Sequence, residues 1–141
     1  MHSSDRLLQG FYWGYNREAL FFRIDGIQEL GRLLKENDIL ALQLIADREY
    51  RLPMQRTTGE GLLLVRELGN WTPTGTCCVW AIDRTCEVAV PLEGLGLVPR
   101  SKLFASVTLT RDREEIGRWP SDAPLMLNYE GPDLEANDWL I

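Results

Sequence analysis

Apolar and polar residues alternate along most of the chain, in short stretches. Alternation with a period of two is typical of strands that bury one face and expose the other. Turn residues separate these stretches at roughly the spacing found in β-sandwiches. The pattern predicts strands at Leu7–Tyr15, Ala19–Ile24, Asp38–Ala46, Glu49–Pro53, Gly61–Glu67, Thr76–Ile82, Thr85–Pro91, Lys102–Arg111, Glu114–Arg118 and Leu125–Asn128.

One stretch, Ile27–Leu34, has the periodicity of a helix instead. Its apolar residues would share one helix face, and Asp25 and Gln28 are spaced as a capping box. Gly31 weakens the helix, because glycine is a poor helix former. We therefore expect at most one short helix in an all-β fold.

The first predicted hairpin turns at Asn16 and Arg17. A two-residue turn pairs Trp13 with Leu20, and a four-residue loop shifts the partners but keeps the same faces together. The uniformly apolar face is the predicted core face; it carries Phe11, Trp13, Leu20, Phe22 and Ile24. The outer face carries Tyr12, Phe21 and Arg23.

The second predicted hairpin turns at Asp83 and Arg84. A two-residue turn places Trp80 on the outer face, directly opposite Glu87. The predicted core face carries Cys77, Val79, Ala81, Cys86, Val88 and Val90. One-sided strands of this kind predict two packed antiparallel sheets, a β-sandwich whose outer faces are hydrated.

Length and charge narrow the function classes. The 141 residues suit a single domain over 1–141. The net charge is −6, and Lys35 and Lys102 are the only lysines. We see no basic stripe, so we expect no nucleic-acid partner. No apolar run reaches the length of a membrane span, so we expect no membrane partner.

The cysteines bear on the cellular compartment. Cys77, Cys78 and Cys86 form an odd, clustered set, and two of them are adjacent. Such a set favours free thiols in a reducing compartment over a disulfide framework. The N-terminal residues have neither the basic nor the apolar region of a signal peptide. We therefore expect a cytoplasmic location.

Residue types suited to catalysis are scarce. His2, at the terminus, is the only histidine, so a catalytic triad or a Cys–His nucleophile is not expected. Three clustered cysteines make a poor zinc cage. Acidic residues such as Asp112, Glu114 and Glu115 are more typical of solvated turns than of a glycosidase pair. We expect no catalytic residue, no metal site and no cofactor, so the chain alone is not predicted to be an enzyme.

Aromatic residues are the remaining signal. Tryptophan and tyrosine combine flat apolar faces with a polar edge, which suits the C–H face and hydroxyl rim of a sugar. Trp71, in a predicted loop, and Trp80, beside the acceptor Glu87, are the first candidates. Tyr12, Phe21 and Arg23 form a second candidate cluster. The alternative is that these exposed aromatics pack on another domain.

Two stretches carry a family resemblance. Within Gly10–Asp25, Trp13-Gly14-Tyr15-Asn16 is followed by Arg23-Ile24-Asp25. This stretch resembles the opening hairpin of the C-terminal sandwich domain of glycoside hydrolase family 57, the amylase-like and glucan-branching group. Glu87–Val98 resembles the strand and turn of family 9 carbohydrate-binding modules and their DOMON-like relatives. The matching positions there are Glu87, Pro91, Leu95 and Gly96. The tail, with Arg118-Trp119-Pro120 and Trp139, is similar to the family 57 domain as well.

The resemblance implies a jelly-roll sandwich of the carbohydrate-binding-module type, cut from the C-terminus of a longer chain. It implies that the catalytic carboxylates lie in a preceding barrel, so none is carried onto this sequence. The implied partners are an α-glucan or other oligosaccharide and the barrel itself. The chain is thus expected to be a non-catalytic accessory domain that binds or positions α-glucan. The alternative is a purely structural domain without a ligand.

Overall fold

The computed structural model describes residues 7–131 and 136–140, with side chains for residues 7–131. His2 and the side chain of Trp139 lie outside this description. The described residues form eleven strands, one short helix and one 3-10 turn. In chain order these are β1 (Leu8–Tyr15), β2 (Ala19–Gly26), α1 (Leu30–Leu33), β3 (Ile39–Ile45), β4 (Glu49–Met54), β5 (Glu60–Glu67), β6 (Asn70–Ile82), β7 (Thr85–Pro91), the 3-10 turn (Leu92–Gly94), β8 (Ser101–Arg111), β9 (Glu114–Trp119), β10 (Leu125–Tyr129) and β11 (Ala136–Leu140).

The strands form one antiparallel sheet in the order β10-β8-β3-β4-β5-β6-β7-β2-β1-β11, and β9 pairs with β8 beside β10. Two register pairs, Tyr50 with Val65 and Arg51 with Leu64, join β4 to β5. The far ends of the sheet approach each other, because β1 contacts β9 and the ring centroids of Tyr15 and Tyr129 are 5.0 Å apart. Strand twist thus curls the sheet into a half-barrel. The predicted all-β antiparallel class with at most one short helix is confirmed. In place of the two separate sheets of the predicted sandwich, the strands form a single curled sheet, which is continuous through the short β4–β5 pairing.

The first hairpin has the predicted faces. Its loop is longer than two residues, since Tyr15 pairs with Leu20 and Trp13 with Phe22. The side-chain Oδ1 of Asn16 closes the loop by accepting hydrogen bonds from the amide N–H groups of Glu18 and Ala19, at 2.8 and 3.0 Å. The longer loop keeps the parity of the strands, so the predicted core residues are all buried.

The second hairpin has a different register from the prediction. Trp80 pairs with Val88 and Ala81 with Glu87, because the turn contains one more residue than predicted; the amide of Asp83 donates to the carbonyl of Thr85 at 2.9 Å. A shift of one residue moves every side chain of a strand to the other face. The faces of β7 are as predicted, whereas those of β6 are inverted. Cys78 and Trp80 are buried, and Cys77, Val79 and Ala81 are exposed.

The helix is shorter than predicted. It covers only Leu30–Leu33, and its N-terminal cap, Glu29, makes no capping hydrogen bond through its side chain. The predicted capping box is wrong, because Asp25 pairs with Arg23 instead. The turn between β6 and β7 holds the helix in place: the amide of Leu30 donates to the carbonyl of Arg84 at 2.9 Å. Within residues 7–131 and 136–140, no helix has the length and apolar character needed to cross a membrane.

An ion pair fastens the loop before β3 to β8. Asp38 is 2% exposed, and its Oδ2 lies 2.7 Å from Nη2 of Arg111. The same carboxylate accepts a hydrogen bond from the backbone amide of Lys35 at 2.8 Å. Burial alone would raise the pKa of Asp38, but the hydrogen bonds from Arg111 and the Lys35 amide outweigh burial and lower this pKa.

Candidate functional site

Four of the six predicted site residues meet on the outer face of β1, β2 and β7. Tyr12, Arg23 and Glu87 occupy paired positions across these three strands. Phe21 lies in the neighbouring row, opposite Ala89 of β7. The register of β6 adds two further residues to these rows, Ala81 beside Glu87 and Val79 beside Ala89. We call this surface the outer platform; it comprises Tyr12, Phe21, Arg23, Val79, Ala81, Glu87 and Ala89.

Arg23 is held in place at one end of the platform. Its guanidinium carbon lies 4.2 Å from the centroid of the Tyr12 ring, a cation–π contact. Its Nε and Nη2 donate to the two carboxylate oxygens of Asp25, at 3.1 and 3.3 Å. A Cβ atom at Gly10 would meet Cε2 of Tyr12 at 2.8 Å, so the tyrosine ring occupies space that only glycine leaves free. These contacts give the polar end of the platform a fixed shape.

The centre of the platform is a shallow apolar depression of about 340 Å³. Its lining residues are Phe21, Phe22, Val79, Trp80, Ala81, Glu87, Val88 and Ala89. Of these, Phe22, Trp80 and Val88 are buried, so the exposed lining is formed by the other five. Val79 is 53% exposed, which is unusual for a valine in the middle of a sheet. Within residues 7–131, the carboxylate of Glu87 makes no hydrogen bond and no ion pair, so it is free to accept hydrogen bonds from a ligand.

The prediction that the side chain of Trp80 lies exposed on the outer face is wrong. Its side chain is 7% exposed. Its indole Nε1–H donates to the carbonyl of Gln55 at 3.0 Å. The ring lies against Gly61 of β5, where an added Cβ would be 3.1 Å from the indole. The sequence held a signal for this arrangement, since Gly61 leaves room for an indole on the neighbouring strand. Trp80 therefore stabilises the core beneath the platform.

Trp71 lies apart from the platform. It is in β6, not in a loop as predicted, and it is half-buried opposite Arg66 near the end of the β5–β6 hairpin. Arg66 in turn pairs with Glu49 at 3.5 Å. Eight positions along β6 separate Trp71 from Val79. The two tryptophans favoured from sequence are thus not brought together: Trp80 borders the apolar depression only as a buried residue, and Trp71 lies away from it.

The three cysteines are free, as predicted, but the residues on the core face differ from those predicted. Cys78 and Cys86 are buried, and burial raises the pKa of each thiol to about 12. Cys77 is exposed, and its Sγ lies 3.7 Å from Oε2 of Glu60. Cys77 is therefore the accessible thiol of the set.

One carboxylate considered for catalysis has a structural partner. Glu115, considered above as a member of a carboxylate pair, makes a two-pronged contact with Arg118 at 2.8 and 3.1 Å. In the described part of the chain, no group of three or more His, Cys, Asp or Glu residues is arranged to hold a metal ion. A scan against protein-family models, a search of curated proteins and a search of solved structures each found no match.

Proposed function

We propose that this chain is a non-catalytic accessory domain that binds an oligosaccharide, in the first instance an α-glucan, on the outer platform. The observation that carries the proposal is the paired row Tyr12–Arg23–Glu87 beside the apolar floor of Phe21, Val79 and Ala89. An apolar floor suits the C–H face of a sugar ring. A free carboxylate and a guanidinium at its margin supply the acceptor and the donor that hydroxyl groups need.

The resemblance to glycoside hydrolase family 57 suggests which protein the domain would serve. We propose that a catalytic barrel in a longer chain performs the reaction and that this domain brings α-glucan to it. The exposed thiol of Cys77 suits a reducing compartment, so we propose a cytoplasmic location.

A second candidate function is docking of the outer platform on the barrel. The observation that favours it is the aliphatic character of the exposed face. Val79 is 53% exposed, and Leu62, on the neighbouring strand, is 47% exposed. Exposed apolar patches often mark protein interfaces. In this case the platform would be covered by protein and would have no sugar ligand.

Titration with maltooligosaccharides, followed by amide chemical shifts, separates the two candidates. We expect shifts concentrated at Phe21, Glu87 and Ala89. Glu87→Gln should weaken binding by about tenfold or more, because hydrogen bonds to charged groups contribute about 1.5–3 kcal/mol. Glu67→Gln is the matched control, since Glu67 is exposed on β5 and outside the platform. If no sugar produces shifts at the platform, docking on protein becomes the better account.

A further inference from the structure

The apolar depression continues into a second one along β7. The second depression has a volume of about 550 Å³. Val79 and Ala89 line both depressions, so the two are contiguous. The second extends past Cys77 and Pro91 to the 3-10 turn and the β1–β2 loop; its remaining lining residues are Arg17, Glu18, Ala19, Leu92 and Glu93. We call the two depressions together the trough.

The trough is long, apolar in the middle and polar at both ends. Glu87 and Pro91 mark its course along β7, and four residues of strand span about 13 Å. Glu87 stands at one end. At the other end are Arg17, Glu18 and Glu93, whose side chains make no hydrogen bond or ion pair with any residue from 7 to 131. A free acceptor at one end, and a free donor with two free acceptors at the other, thus flank the apolar floor.

We propose that the trough binds an oligosaccharide chain along its length, with successive sugar units in both depressions. It is therefore not a site for a ligand of one sugar unit. This inference rests on the proposed function, because it specifies the ligand of the same platform. Donors and acceptors separated by an apolar floor match a chain with apolar ring faces and hydroxyl rims at each unit. A ligand of one ring would leave one polar end unused.

The backbone pairing argues against an extended peptide as the occupant. Peptides commonly bind a sheet by adding a strand to a free edge. Here β7 is paired with β2 on one side and with β6 on the other. The trough therefore offers side chains only, without a free row of backbone hydrogen-bonding groups.

Strand β6 provides a matched pair of variants. Ala81 and Cys77 flank Val79 on the same exposed face, and each lines one depression only. Ala81→Trp should fill the first depression, and Cys77→Trp should fill the second. Asn128→Trp is the control, because Asn128 is exposed on β10, away from the trough.

The test measures affinity for glucose, maltose, maltotriose and maltohexaose by calorimetry. We expect affinity to rise by about tenfold or more from maltose to maltohexaose. Cys77→Trp should abolish this rise while short chains still bind, and Asn128→Trp should leave it intact. In the unmodified protein, saturating maltohexaose should slow alkylation of Cys77 several-fold, whereas glucose should not; this readout needs no variant to fold.

The outcomes distinguish this inference from the proposed function. Equal affinity for all chain lengths, with Cys77 alkylated at an unchanged rate, would overturn the trough proposal and leave a one-ring site intact. Absence of binding at every chain length would overturn both. Chain-length dependence that survives Cys77→Trp would also contradict the proposed course of the chain.

Discussion

The buried pair of Asp38 and Arg111 gives the sharpest test of the fold. Asp38→Ala removes a carboxylate that is 2% exposed and accepts hydrogen bonds from Arg111 and from the Lys35 amide. Breaking a buried ion pair typically lowers the free energy of unfolding by about 3–5 kcal/mol. Because the Arg111 side chain remains 26% exposed, we expect the lower end, about 3 kcal/mol. Urea unfolding followed by circular dichroism measures this change.

Glu115→Ala provides a matched control for this substitution. Glu115 and Arg118 form an ion pair with the short distance of 2.8 Å, but their side chains are 47% and 40% exposed. Exposed pairs contribute about 0–1 kcal/mol. The two variants thus compare two ion pairs of similar distance, one buried and one exposed. If Asp38→Ala loses no more stability than Glu115→Ala, the buried pair does not fasten the β3 loop as described.

The lowered pKa of Asp38 predicts how the stability difference between the unmodified protein and Asp38→Asn changes with pH. A carboxyl whose pKa is lower in the folded state contributes stability that is fully present above its unfolded pKa, here 3.8. That stability is lost as the pH falls through the folded pKa. The difference in stability between the unmodified protein and Asp38→Asn should therefore shrink below about pH 4. Parallel acid profiles for the two proteins would refute the reasoning.

Two further predictions test the faces of the sheet. Val88→Asp should lower stability by several kcal/mol, because it buries an unpaired charge, whereas Glu87→Ala should change it by less than about 0.5 kcal/mol. A larger loss for Glu87→Ala than for Val88→Asp in urea melts would mean that β7 faces the other way. In a thiol assay at neutral pH, the folded protein should react through Cys77 alone, and the unfolded protein through Cys78 and Cys86 as well. Three equally fast thiols in the folded state would contradict the burial of the latter two.

The alternation pattern predicted strand faces where the two faces of a strand differ in character. In β2, Phe22 and Ile24 alternate with Phe21 and Arg23, so the core face was identifiable. In β6 both faces are apolar, with Cys78 and Trp80 on one and Cys77 and Val79 on the other. The pattern then gives no preference, and the face depends on the turn length. One extra turn residue inverted the prediction.

The same difference explains which site residues could be predicted. Tyr12, Phe21, Arg23 and Glu87 lie on strands with distinguishable faces, and the structure brings them together. Contacts between distant elements were beyond the pattern. Asp38 and Arg111, for instance, are 73 positions apart, and neither residue signals the other in the sequence.

The inversion of β6 also bears on the sugar binding that we propose for the platform. With Trp80 in the core, the aromatic contacts left to a ligand are Phe21 and Tyr12, and the Tyr12 ring already holds the guanidinium of Arg23. Stacking on Phe21 alone would provide little of the roughly 4–8 kcal/mol that millimolar to micromolar binding requires. The rest has to come from contacts distributed over the apolar floor and the polar ends. The proposed sugar binding therefore depends on the length of the trough. The affinity series from glucose to maltohexaose tests this dependence.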